Sequence, residues 1–128
     1  MKKYRIELSE DQLRLIALCL EDVSRFAAGQ MEMKFTIEEM VHGLSFDQQI
    51  QRRNNAEILL KEVKRVLLPE LHEHENKGYN GTEFVGNVYQ IYKSIWYRLA
   101  QDYNWNNVHS SEPLQSGSMG TIKIESVK

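Results

Sequence analysis

Two short segments at the ends of the chain alternate polar and apolar residues, and the pattern between them is helical. The alternating segments are residues 3–8 and 121–125. Strict alternation is typical of a half-buried strand, because successive side chains of a strand point to opposite faces. The pattern therefore predicts two terminal strands that pair as an antiparallel ribbon.

The first helix is predicted to begin after Ser9. Ser9 and Gln12 have the spacing of a capping box, in which each side chain bonds a free backbone N–H of the first turn. Gly29 provides a left-handed stop, and Cys19, inside the apolar run, is predicted to be buried. The apolar row that should face the core consists of Leu13, Ile16, Leu20, Val23 and Ala27.

A short second helix is predicted over residues 37–42, because Thr36 and Glu39 resemble a start signal. Residues 45–55 allow two interpretations, a connection or an exposed helical lead-in. Ser45 has a capping partner at the right spacing, but the segment contains little apolar surface.

Two longer helices complete the helical middle. An apolar row over 56–67 predicts a helix that ends before Pro69, since proline lacks the N–H that a helix interior needs. Thr82 is suited to cap a last helix that reaches Asn104. Residues 104–120 are predicted to be irregular.

These elements predict a single α+β domain over residues 1–128, mostly helical, with three main helices packed on the terminal two-stranded ribbon. A two-stranded ribbon is marginal alone and leaves edges that invite pairing with another copy. A homo-oligomer is therefore predicted, with aromatic residues of the last helix at the contact.

Charge and composition restrict the partners. The formal net charge of −2 gives no field that would attract nucleic acid or an anionic membrane. The basic residues between Arg52 and Arg65 have no interleaved aromatics on which bases could stack, so a solvated helix face is predicted there instead of a nucleic-acid site. The longest apolar run, 15–20, is too short to span a membrane. With one cysteine and no leader-like start, the sequence predicts a cytoplasmic protein.

Candidate chemistry is sparse. The alternating His/Glu run at 72–75 has the wrong spacing for a metal site on a helix, so neither a metal nor a cofactor is predicted. Glu21, Asp22 and Arg25 form a polar cluster on the first helix. The spacing of Glu21 and Arg25 favours an ordinary ion pair, and acid–base chemistry would require burial.

The last helix and the segment after it carry the candidate ligand-binding residues. Eight of the twelve aromatics fall between Tyr79 and Trp105. They fit a core, a protein interface or a stacking surface for a ring. The Asn/Ser/Gly-rich segment fits either a connector or a backbone nest for an anion. The candidates are Tyr89, Tyr97, Asn106, Asn107, His109, Ser110, Ser111, Ser116 and Ser118.

Several short patterns resemble those of a group of small bacteriophage and prophage proteins of gut Bacteroidetes, for which no activity is established. They are Tyr4-x-Ile6-Glu7-Leu8-Ser9, Glu21-Asp22-x-x-Arg25-Phe26-x-x-Gly29-Gln30, Asn106-Asn107-Val108-x-Ser110-Ser111 and Ile122-Lys123-Ile124-Glu125. The resemblance implies a phage accessory protein that acts in a bacterial cytoplasm.

Three functional hypotheses follow. The first is a non-enzymatic accessory binding protein that neutralises a host factor, by binding a host protein or by sequestering a small nucleotide-like signal. The second is a structural or morphogenetic interaction protein without a ligand. The third is a small hydrolase-type enzyme, which would require the cluster at Glu21, Asp22 and Arg25 to meet His109 in one pocket.

Overall fold

The computed structural model describes residues 2–103 and 112–127. Within these ranges it contains four helices: α1 (Glu10–Ala27), α2 (Lys34–Met40), α3 (Phe46–Leu67) and α4 (Glu83–Tyr103). No strand occurs in the described residues. The predicted α+β class and its two-stranded ribbon are therefore wrong, and the fold is helical.

The two terminal segments do not pair with each other, and the apolar side chains of the amino-terminal segment, Tyr4 and Ile6, are exposed. In the described residues, no backbone hydrogen bond joins 3–8 to 121–125. At the carboxyl end, the Ile122 N–H instead lies 3.3 Å from Ser94 Oγ of α4, and Ile124 packs against the helical core. Ile124 is therefore partly buried against the helices, whereas Ile122 remains exposed.

The predicted capping box is confirmed. Ser9 Oγ accepts from the Gln12 N–H at 3.1 Å, and Gln12 Oε1 accepts from the Ser9 N–H at 2.8 Å. The chain turns at Gly29, whose φ of +102° is the left-handed conformation that glycine tolerates best. Both ends of α1 therefore follow from local sequence.

Helix α3 resolves the ambiguous segment as a helical lead-in. Ser45 Oγ accepts from the Gln48 N–H at 3.3 Å, so the helix begins at residue 46, and it ends at Leu67 before Pro69. The cap of α4 is also confirmed, because Thr82 Oγ1 accepts from the Val85 N–H at 3.1 Å.

Helices α1 and α4 form an antiparallel pair that holds the core. Ser24 Oγ near the end of α1 donates to the Val85 carbonyl near the start of α4, at 3.3 Å. The Arg14 guanidinium lies 5.7 Å from the centre of the Tyr103 ring at the other end. The buried core residues between the two helices are Ala17, Tyr92, Ile95 and Leu99.

Cys19 is exposed, which contradicts its predicted burial. Ala17 is fully buried against α4. Cys19 follows two positions later, and on a helix that spacing places its side chain on nearly the opposite side. The apolar run around Cys19 therefore surrounds the helix instead of following one face.

Helix α3 stands apart from the α1–α4 pair. Among the helices it contacts α2, and α2 in turn contacts α1. The turn after α3 supplies the remaining attachment: the buried Lys64 donates its Nζ to the carbonyls of Glu73, at 2.9 Å, and Glu75. The Lys77 N–H then donates to the Ala28 carbonyl at 2.7 Å. One side of α3 is thereby left without cover.

Candidate functional site

The uncovered side of α3 carries a row of large apolar side chains. The exposed fractions are 78% for Val66, 66% for Leu59, 61% for Leu67 and 39% for Val63. At about 100° per residue, these four positions fall within roughly one third of the helix circumference. We call these four residues the α3 row.

The opposite side of α3 packs on the chain's own fold, and it is largely polar. Arg53 Nη1 lies 3.6 Å from Glu38 Oε1 of α2, and Lys64 is held by backbone carbonyls. Leu60 lines a small cavity of about 230 Å³ together with Met31. Helix α3 thus presents its apolar side to solvent, the reverse of the usual arrangement in a globular protein.

Charged residues border the α3 row at both ends. Arg52 is exposed at the amino-terminal end, and it forms no ion pair with any residue that the structure describes. Glu70 follows at the carboxyl-terminal end, with its Oε1 4.0 Å from Lys77 Nζ. Glu62 lies beside the row and pairs with Arg65 of the same helix.

A polar cleft of about 590 Å³ lies on the other side of the molecule, between the end of α1 and the turn after α3. Its cations are already engaged. Lys61 Nζ lies 3.2 Å from Glu73 Oε1, and the hydrogen bond from Lys61 holds the pKa of Glu73 below its usual range. Lys64 is bound to carbonyls, as described above. The cleft therefore offers balanced charge instead of a cationic site for an anion.

The polar cluster of α1 divides into two structural roles. Arg25 Nη2 lies 3.0 Å from Glu21 Oε1, which is the ion pair that the spacing favours. Asp22 is buried and reaches α2, where its carboxylate accepts from the N–H of Phe35 at 3.3 Å and of Thr36 at 2.7 Å. The Thr36 hydroxyl donates to the same carboxylate at 2.8 Å.

Asp22 therefore caps α2 from a distance of twelve residues along the chain. The residue at the cap position itself, Met33, has a φ of +43° and makes no side-chain cap bond. The predicted start of the second helix at residue 37, with Thr36 as cap, is wrong: α2 begins at Lys34, and Thr36 is a donor to Asp22.

The candidate tyrosines occupy separate places on α4. The ring of Tyr89 lies 4.7 Å from that of Tyr79 and 5.4 Å from that of the buried Tyr92. Burial, and to a smaller extent the neighbouring Tyr79, raises the pKa of Tyr89. Tyr97 is half-buried and lies about 12 Å further along the helix. The two hydroxyls are not brought together.

The carboxyl-terminal segment is strapped along one side of α4. The N–H groups of Gly117, Ser118 and Met119 donate to side chains of that helix; the acceptors are Gln90 Oε1 at 3.3 Å, Glu83 Oε1 at 2.7 Å and Asn87 Oδ1 at 2.9 Å. Ser116 Oγ donates to the Gly86 carbonyl at 2.8 Å. One hypothesis assigned these three N–H groups to a backbone nest for an anion. They already donate to side chains of α4, which favours the other interpretation, a connector.

The remaining candidates of that segment fall outside the described residues. They are Asn106, Asn107, His109, Ser110 and Ser111. Among the residues that are described, no group of three or more His, Cys, Asp or Glu side chains is placed to hold a metal ion. In the same part of the chain, no helix combines the length and apolar character needed to cross a membrane.

Comparisons with known proteins add no family. The chain matches no protein-family model, no curated protein and no solved structure.

Sequence reasoning detected the α3 row as a helical pattern but did not identify it as a site. An apolar stripe has the same periodicity whether it faces a core or a partner. The signal that distinguishes the two is the polar content of the opposite side, which includes Arg53, Glu57 and Lys64.

Proposed function

We propose that this protein is a non-enzymatic binding protein that acts through the α3 row. The observation that supports this proposal is the exposure of four large apolar side chains in one continuous row, up to 78% at Val66. Contiguous apolar surface of this kind is typical of an interaction site, because burying it against a partner removes it from water.

Binding is favoured over catalysis because the candidate catalytic groups have structural partners. Asp22 uses its carboxylate to cap α2, and Arg25 pairs with Glu21. An acid–base role for Asp22 would leave the first turn of α2 without its acceptor.

A protein partner is favoured over a small nucleotide-like signal. A nucleotide-like signal would need free backbone N–H groups in the Asn/Ser/Gly-rich segment. The N–H groups of 117–119 in that segment already donate to side chains of α4. The α3 row offers apolar contact and few polar groups, which suits a protein surface better than a charged small molecule.

The biological setting that we propose is a bacterial cytoplasm, in which a phage or prophage accessory protein neutralises a host factor. The sequence resemblance supports this setting. The described structure adds a surface through which such a protein would act.

Photo-crosslinking in living bacteria tests the proposal. A photoreactive phenylalanine analogue is placed at Val66, and a matched variant carries it at Gln51, which is exposed on the same helix outside the row. We expect cross-linked protein adducts from position 66 and none from position 51. Absence of adducts from position 66, in a variant with an unchanged circular dichroism spectrum, would contradict the proposal.

A further inference from the structure

The carboxyl-terminal segment lies on a set of acceptors that share one face of α4. We call residues 116–122 the strap. At about 100° per residue, the α4 residues that bond the strap fall within roughly one third of the helix circumference. They are Glu83, Gly86, Asn87, Gln90 and Ser94. We call these five residues the strap site.

The strap is attached through side chains of α4. Among the residues that the structure describes, no backbone–backbone hydrogen bond involves 112–127. The Ile122 N–H donates to a side-chain oxygen of α4, as the N–H groups of 117–119 do. Every strap residue is also at least partly exposed. Opening the strap therefore breaks neither a helix nor a sheet, which places it among the least stable parts of the fold.

The strap site keeps its acceptors in place without the strap. Its five residues lie on one helix, and the core between α1 and α4 holds that helix. Ser94 Oγ donates to the Gln90 carbonyl at 2.7 Å, a bond within α4 that does not depend on the strap. An open strap site would thus present a preorganised row of acceptors to another chain.

The contacts define the sequence that fits the strap site. A Cβ on Gly117 would lie 2.2 Å from Asn87 Oδ1 and 2.6 Å from the Asn87 backbone nitrogen, so only glycine fits there. The residue before it, Ser116, donates its hydroxyl to the Gly86 carbonyl at 2.8 Å. Gly120 has a φ of +78°, the left-handed conformation that favours glycine. The strap site therefore matches a bent segment with the sequence Ser-Gly-x-x-Gly.

We propose that the strap site binds a bent Ser-Gly-x-x-Gly segment of a partner protein, and that the strap occupies the site as an intramolecular competitor. This second site is separate from the α3 row, so the inference goes beyond the proposed function. The strap leaves room for a better ligand, because the N–H bonds of Gly117 and Ile122 are both long, at 3.3 Å.

A partner protein is favoured over a second copy of the chain. A second copy offers only the same segment, whereas the covalent tether gives the chain's own strap an effective concentration on the order of millimolar. An identical segment at micromolar concentration cannot compete with it. A segment that shortens the two long bonds can.

Two glycine variants test the proposal from opposite sides of one contact. A fluorescent peptide of residues 112–124 is titrated with the full-length chain, and its anisotropy is measured. Gly117→Ala should release the strap and leave the strap site intact, so the peptide should bind this variant at least about tenfold more tightly than wild type. Gly86→Ala should release the strap but block the site, because its Cβ would lie 1.8 Å from the Ser116 carbonyl oxygen. The peptide should therefore not bind Gly86→Ala.

A second strap variant and an altered peptide serve as controls. Ser118→Pro loosens the strap without a change on α4, since proline has no N–H to donate to Glu83. It should gain affinity for the peptide as Gly117→Ala does. A peptide that itself carries Gly117→Ala should bind no variant. Unchanged circular dichroism spectra show that α4 is intact in each chain.

Three results would overturn the proposal. The first is that neither Gly117→Ala nor Ser118→Pro binds the peptide more tightly than wild type. The second is that Gly86→Ala binds it as tightly as Gly117→Ala does. The third is a wild-type dimer in sedimentation velocity that Gly86→Ala dissociates, which would assign the strap site to a second copy. The adducts at position 66 decide the function of the α3 row independently of all three.

Discussion

The cap that Asp22 provides for α2 makes a sharp prediction about stability. Asp22 is 6% exposed, and its carboxylate accepts two backbone N–H groups and the Thr36 hydroxyl. Replacing Asp22 by alanine leaves these three donors without an acceptor in a partly buried place. A hydrogen bond to a charged group contributes about 1.5–3 kcal/mol, and the three bonds share one carboxylate, so we expect a loss of about 3 kcal/mol in unfolding free energy.

The loss of unfolding free energy should be smaller for variants that remove less of the interaction between Asp22 and α2. Asp22→Asn keeps the shape and one accepting oxygen, so a loss of about 1.5 kcal/mol is expected. Thr36→Val removes only the hydroxyl donor, and should lower the unfolding free energy by about 1 kcal/mol. Glu39→Ala, an exposed carboxylate of the same helix, serves as the control and should stay within about 0.5 kcal/mol.

Urea unfolding followed by circular dichroism measures all four variants, and a double-mutant cycle between Asp22 and Thr36 isolates their coupling. Hydrogen exchange should show the loss of protection beginning in α2, over Lys34–Met40. If Asp22→Ala and Glu39→Ala unfold at the same urea concentration, the carboxylate does not hold α2 and the reasoning fails.

Three other predictions concern close packing, surface and ionisation. Gly86→Ala should destabilise the fold by about 2 kcal/mol or more and release the carboxyl-terminal segment in hydrogen exchange, because its Cβ would lie 1.8 Å from the Ser116 carbonyl oxygen. Val66→Gln at low protein concentration should change the unfolding free energy by less than about 0.5 kcal/mol, whereas Ile95→Ala in the core should lower it by about 3 kcal/mol. Burial raises the pKa of Tyr92 from 10.0 to about 12, so the stability linked to its neutral hydroxyl is fully present below pH 10.0 and is lost as pH rises to about 12. In urea unfolding, Tyr92→Phe should show a weaker loss across that window. Equal unfolding midpoints for Gly86→Ala and wild type, a core-sized loss for Val66→Gln, or the same alkaline slope for Tyr92→Phe would each contradict the corresponding reasoning.

Much of the helical structure could be predicted because its signals are local. The capping box at Ser9 and Gln12, the cap at Thr82 and the end before Pro69 each depend on residues within one helical turn. These groups act on backbone N–H groups of their own helix turn, so these three helix ends can be recognised from the local sequence.

The predicted terminal ribbon is wrong because alternation specifies neither a strand partner nor a buried side. At the amino end, the alternating residues Tyr4 and Ile6 are 78% and 76% exposed. Ile122 and Ile124 do have a helical neighbour, and the Ile122 N–H finds Ser94 of α4. The predicted start of α2 is wrong because its capping acceptor is distant in sequence. Asp22 lies twelve residues before the first helical residue of α2, so no local pattern indicates it.

The candidate site was also beyond local reasoning. The apolar row over 56–67 has a regular helical period, but Lys64 sets its orientation. The buried Nζ of Lys64 donates to the carbonyls of Glu73 and Glu75 in the following turn. Once the polar side of α3 is fixed inward, the α3 row must face solvent or a partner.

The most direct test of this account is the solvent exposure of the leucine and valine methyl groups. In methyl NMR spectra with a soluble paramagnetic agent at low protein concentration, the methyls of Val66 and Leu59 should relax strongly, whereas those of Val85 and Leu99 in the core should not. If Val66 and Leu59 are as protected as Leu99 in the dilute protein, the α3 row is part of the chain's own core and the account is contradicted.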